Sequence, residues 1–91
     1  MLVACIGFAQ TATTITVQDT RTTNPLPATF QRVVRFDFKM RDSIGSPGSG
    51  YFAGLMTFAP WGDATGGKNY QLNFNNGGVF YRGGYQGATS W

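Results

Sequence analysis

Histidine and glutamate are absent from this 91-residue chain, and cysteine occurs once, as Cys5. One cysteine without histidine cannot assemble the ligand set of a zinc site. Histidine-based general acid–base catalysis is excluded with it. Cys5 has no partner for an internal disulfide. Charge is scarce as well: 12% of residues are charged, about half the roughly 25% of an average soluble protein. The side-chain carboxylates are Asp19, Asp37, Asp42 and Asp63, and none sits in a recognisable acid–nucleophile context of a glycosidase. Asp63 with Thr65 falls short of the oxygen set that calcium requires. The expectation is a protein without catalysis, metal or cofactor.

The net charge of +3 reflects few acids rather than many bases. Arg21, Arg32, Arg35, Lys39, Arg41, Lys68 and Arg82 are scattered, so no basic run tracks phosphates and no nucleic-acid partner is expected. One Tyr81-Arg82-Gly83-Gly84-Tyr85 step is too short an RGG-like piece to change this. Met1–Ala9 is apolar but far below the roughly 20 residues that span a bilayer, so membrane insertion is not expected. It also lacks the basic start of a secretion signal. These residues read as a first strand or as the remnant of a longer chain. The chain then divides into residues 1–11 and an all-β domain over residues 12–91.

What is present favours strands. Apolar residues make up 42% and aromatics 15%, with thirteen glycines and eleven threonines. Ala12–Asp19 alternates and is β-branched. Asn24-Pro25 and Pro27 mark a loop. In Phe30–Arg41, the residues Val34, Phe36, Phe38 and Met40 share one face while Arg35, Asp37, Lys39 and Arg41 share the other. That period of two predicts a strand with a dry apolar face and a wet charged one, Asp37 being solvated among its basic neighbours. Ser43–Gly50 is a loop by composition, and Tyr51–Phe58 is an apolar strand stopped by Pro60. Asn69–Asn75 alternates again, with Tyr70, Leu72 and Phe74 expected inward and Gln71, Asn73 and Asn75 outward. Asn76-Gly77-Gly78 predicts a hairpin turn of type I′ leading into Val79–Arg82. Tyr85–Trp91 is expected to begin one more strand. The fold class is all-β, a small antiparallel β-sandwich completed by oligomerisation.

Leu55-Met56-Thr57-Phe58-Ala59-Pro60-Trp61-Gly62-Asp63-Ala64-Thr65-Gly66-Gly67, then Tyr70-Gln71-Leu72-x-Phe74 and Gly78-x-x-x-Arg82-x-Gly84, together resemble the C-terminal tip domain of bacteriophage tail fibres. Related prophage and pilus-tip adhesins share the pattern, and the resemblance covers roughly Thr13 to Trp91. It departs at Trp91, where that family continues through a second tryptophan and a final basic strand. Either a longer chain has been trimmed or a partner completes the sheet. The resemblance implies receptor binding toward a bacterial surface glycan or protein, a homotrimer, and a place at the fibre tip of the virion.

Candidate ligand-binding residues follow from these motifs: Trp61, Asp63, Tyr81, Arg82, Tyr85 and Trp91. Trp61 beside Asp63 offers an aromatic surface for sugar C–H patches and a carboxylate for sugar hydroxyls. The bland alternative makes Trp61 a plug for the sheet end and Asp63 a turn cap. Arg82 is expected opposite an Asn or Gln of the neighbouring strand, as a surface or interface residue. A purely structural module that trimerises or caps a fibre, and a secreted or cell-surface carbohydrate-binding module, remain as alternative readings. A small domain with fourteen aromatics, few charges and unguarded strand edges is expected to be a protomer of a symmetric assembly.

Overall fold

The computed structural model describes residues 14–91. They form one five-stranded sheet: β1 (Gln18–Asp19), β2 (Val33–Met40), β3 (Phe52–Ala59), β4 (Lys68–Asn75) and β5 (Gly78–Tyr85), in sequence order across the sheet. β1 runs parallel to β2, and the other neighbours are antiparallel. Two short 3-10 turns, Pro27–Thr29 and Arg41–Ile44, are the only helical pieces among the described residues. The all-β class holds. The described residues of one chain supply a single sheet, and irregular segments rather than a second sheet cover it. The segment read as Met1–Ala9 lies outside the described residues, as does the start of Ala12–Asp19, of which Gln18–Asp19 pairs as strand.

Strand periodicity is obeyed throughout, but the sides are reversed from the sequence expectation. Register places Phe36, Met56, Leu72 and Tyr81 in one row across the sheet, and Val34, Phe58 and Tyr70 in the next. This apolar face is open: Val34 is 54% exposed, Phe74 46% and Tyr81 61%. The opposite face carries Asp37, Lys39, Thr57, Asn69, Gln71 and Asn73, all buried. Asp37 is therefore not solvated. Its Oδ1 accepts from the Arg35 guanidinium at 2.9 Å and from Thr20 Oγ1 at 2.9 Å.

The reason lies in what does the covering. Residues 20–30, 41–47 and 86–91 have irregular backbone whose carbonyls need donors, and the polar face is a bed of donors. Lys39 Nζ donates to the Thr20 and Thr23 carbonyls, both at 2.8 Å. Asn69 Nδ2 donates to the Pro27 and Phe30 carbonyls, and Gln86 Nε2 also reaches Phe30. Phe30 and Ile44 then bring the apolar part of the cover down onto Ala53, Leu55 and Ala59, which are buried with them. Burial draws the Lys39 pKa below the ordinary lysine value, only partly offset by the charge of Asp37.

The loops agree in place and differ in detail. Arg41 gathers the β2–β3 connection by donating to the Gly50 and Ser46 carbonyls. The β4–β5 hairpin turns at Asn76 and Gly77 as expected, but not as type I′, which needs positive φ at both. The positive φ of 129° falls on Gly78 instead, because Asn75 Oδ1 accepts the Gly77 N–H at 2.8 Å and shapes the turn from within. The same carboxamide accepts from Ser49 N–H and donates to the Pro47 carbonyl and to Asn73 Oδ1. β5 runs on through Gly83 and Gly84 to Tyr85, and no strand follows it.

Candidate functional site

β3 ends at Ala59 because Pro60 has no N–H for the ladder. Residues 60–67 then form a loop at one end of the sheet. The Trp61 carbonyl accepts the Arg32 N–H at 3.1 Å, which ties this loop to the residue before β2. Arg32 is the one non-glycine residue with positive φ (47°) among those described, a conformation that persists only where surroundings hold it. Its guanidinium lies against Gly62, where a Cβ would come within 2.7 Å of Nε.

The Trp61 indole rests on glycine backbone. A Cβ on Gly66 would lie 2.1 Å from indole Cδ2, and one on Gly67 would lie 3.4 Å from Nε1. Glycine is required at the first of these for the ring to lie where it does. Trp61 remains 39% exposed, so part of the indole faces solvent. Asp63 is exposed two residues on, and its Oδ1 accepts from the Thr65 hydroxyl at 2.5 Å and the Thr65 N–H at 3.0 Å. The hydroxyl bond first, then the backbone bond and the charge of Arg32, hold this carboxyl below its ordinary range. The loop thus offers an aromatic surface and an ionised acceptor, with a cation at its base. Such a set has the chemistry to stack on apolar C–H surface and to accept hydrogen bonds from hydroxyls.

The other sequence candidates do not join this loop. Register pairs Arg82 with Gln71, and its Nε donates to Gln71 Oε1 at 2.7 Å, so the expected cross-strand partner is present. Arg82 is not a free surface cation, however. Its Nη atoms donate to the Ile44 carbonyl and to Asn24 Oδ1, and Trp91 stacks on it at 4.8 Å. Burial pulls its pKa downward. Trp91 donates to the Pro25 carbonyl at 2.7 Å and packs near Phe30, so it fastens the cover. Tyr81 and Tyr85 project from the opposite, open face of β5. A cavity of about 150 Å³ beside Arg82 is lined by Ile44, Pro47, Leu55, Asn73 and Phe80.

Arg32 is the site residue that sequence reasoning missed, since nothing in its local pattern announces a positive φ or a contact with Gly62. Among the described residues no three Cys, His, Asp or Glu side chains gather in a way that could hold a metal ion. No described helix is long and apolar enough to cross a membrane. No family model, curated protein or solved structure matches this chain.

Proposed function

We propose that this chain is the non-catalytic receptor-binding domain at the tip of a phage tail fibre, recognising a bacterial surface glycan or protein. The observation that carries the reading is the loop of residues 60–67. It presents a glycine-seated, partly exposed Trp61 beside an Asp63 held ionised by Thr65. The motif resemblance from Leu55 onward supports the same conclusion. The fibre reading also makes the chain a protomer of a homotrimer carried on the virion.

The test is adsorption of the purified domain to a panel of bacterial cells and to a glycan array. Trp61→Ala is expected to abolish binding while leaving the circular dichroism spectrum of the sheet intact. Unaltered adsorption by that variant refutes the role of the loop. A second reading, a structural module that assembles or caps a fibre, is favoured by the breadth of the open aromatic face. It predicts that replacing Trp61 leaves adsorption of the whole fibre intact, whereas replacing the apolar residues of the sheet does not.

A further inference from the structure

The open face of the sheet is the largest feature that the receptor loop does not use. Its central positions are Val34, Phe36 and Phe38 from β2, Phe52, Met56 and Phe58 from β3, Tyr70, Leu72 and Phe74 from β4, and Val79 and Tyr81 from β5. None carries a charge. Charges appear only at the rim, as the Asp19–Arg21 pair with Arg21 over the Phe38 ring and as Lys68 beside Tyr85. An apolar, aromatic centre with a polar rim is the anatomy of a protein interface.

Four strands of eight residues make a face about 26 Å long and about 19 Å wide, or about 500 Å² before side-chain relief. That is near the upper end of the roughly 300–600 Å² that a monomer leaves exposed as its largest patch. Two such faces together remove about 1,000 Å² from water, the lower bound for a biological interface. The face is also contoured. Gly54 leaves a hollow bounded by Val17, Phe38, Phe52 and Phe74, and a second, apolar hollow lies among Met56, Phe58, Tyr70, Leu72 and Tyr81. Such hollows accept side chains of a facing sheet at the usual spacing of about 10 Å.

We propose that this face turns inward toward a symmetry axis and packs against the open faces of sister copies of this chain. Charge selects that occupant. The chain as a whole carries +3, so a like-on-like contact made elsewhere sets cations against cations, and the uncharged face is where copies meet without that penalty. The inference rests on the self-assembly contained in the fibre reading and names its surface, independently of the receptor loop.

Light scattering and sedimentation of the full chain at micromolar concentration test it. The wild type is expected to run as a multimer. Tyr81→Lys and Phe74→Lys, each placing a charge at an already exposed position, are expected to run at single-chain mass. Thr29→Lys, off the face, should remain multimeric. Should a lysine variant fail to fold, hydroxyl-radical footprinting of the wild type decides: Tyr81 and Phe74 are expected to be protected in native buffer and labelled in urea. A folded wild-type monomer, a multimer whose Tyr81 labels fully, or lysine variants that assemble as the wild type does would each overturn the proposal. Cell adsorption is read separately. A folded monomer that adsorbs overturns the interface and leaves the receptor reading standing, and a multimer that adsorbs to no cell does the reverse.

Discussion

At the scale of single residues, the loop of residues 60–67 depends on glycine backbone placed against a large side chain. Gly66→Ala puts a methyl group where indole Cδ2 now lies. The expected outcome is a displaced Trp61, read as a shift in its fluorescence, with loss of adsorption comparable to Trp61→Ala. Asp63 gives the loop a pH dependence of known sign. Its pKa is lowered, so it stays ionised at pH values where a free aspartate has begun to protonate, and binding through it falls only as pH drops through that depressed value. Thr65→Val removes the hydroxyl that is the first cause of the shift. The carboxyl titration followed by NMR should then move upward, and the acid limb of the adsorption profile should move with it.

Lys39 is shifted downward as well, in its case by burial. Its folded-state pKa lies below the ordinary lysine value, so between those two values the unfolded chain still holds a proton that the folded chain has released. Raising pH through that window therefore increases stability. Lys39→Met should abolish this rise in chemical denaturation experiments at alkaline pH. It should also cost about 1–3 kcal/mol near neutrality, because the Thr20 and Thr23 carbonyls lose their donor.

At the scale of elements, strands and cover are joined by side-chain donors of the sheet. Asn69, on β4, holds both the Pro27 and Phe30 carbonyls. Asn69→Ala is expected to destabilise the fold by about 1–3 kcal/mol and to raise hydrogen exchange over residues 25–30 first. This architecture explains what the sequence could and could not disclose. β2 and β4 were legible from a period of two, and the end of β3 from Pro60. The side each strand buries was not, because alternation reports two faces without saying which one is covered. Composition points to the apolar face as the inside. Here the nearest cover is irregular chain, and its bare carbonyls are satisfied by Lys39, Asn69 and Arg82 rather than by phenylalanine rings. The Trp61–Asp63 pairing was visible as a motif, whereas Arg32 joined it only through a backbone bond made in three dimensions. Arg82 and Trp91 became candidates through the motif resemblance, and long-range bonds to Asn24, Ile44 and Pro25 tie them to the cover.

At the scale of the whole molecule, the buried apolar set among the described residues is small: Pro27, Phe30, Ile44, Ala53, Leu55 and Ala59. Small domains have little stability to spare, and here much of the aromatic content stays outside. Folding and self-association are therefore expected to be coupled. The melting temperature should rise with protein concentration, as mass action requires when only the assembled state is stabilised, and calorimetry over a hundredfold dilution series checks this. A melting temperature independent of concentration argues for a monomer stable by itself. Among the described residues β5 has no strand partner on its outer side, and it carries no proline along Gly78–Tyr85. Its single internal charge, Arg82, points into the cover, so this edge is open to pairing as well.

The Asn75 carboxamide, bonded to Ser49, Gly77, Pro47 and Asn73, has a consequence for alignment. A slip of one residue between β4 and β5 turns every side chain of the slipped strand over, which would bring tyrosines against bare carbonyls and amides out to the solvent. Asn75 has a single setting that satisfies all four neighbours at once. The carboxamide at the hairpin tip thereby helps to hold β5 with its tyrosines on the open face and Arg82 in the cover.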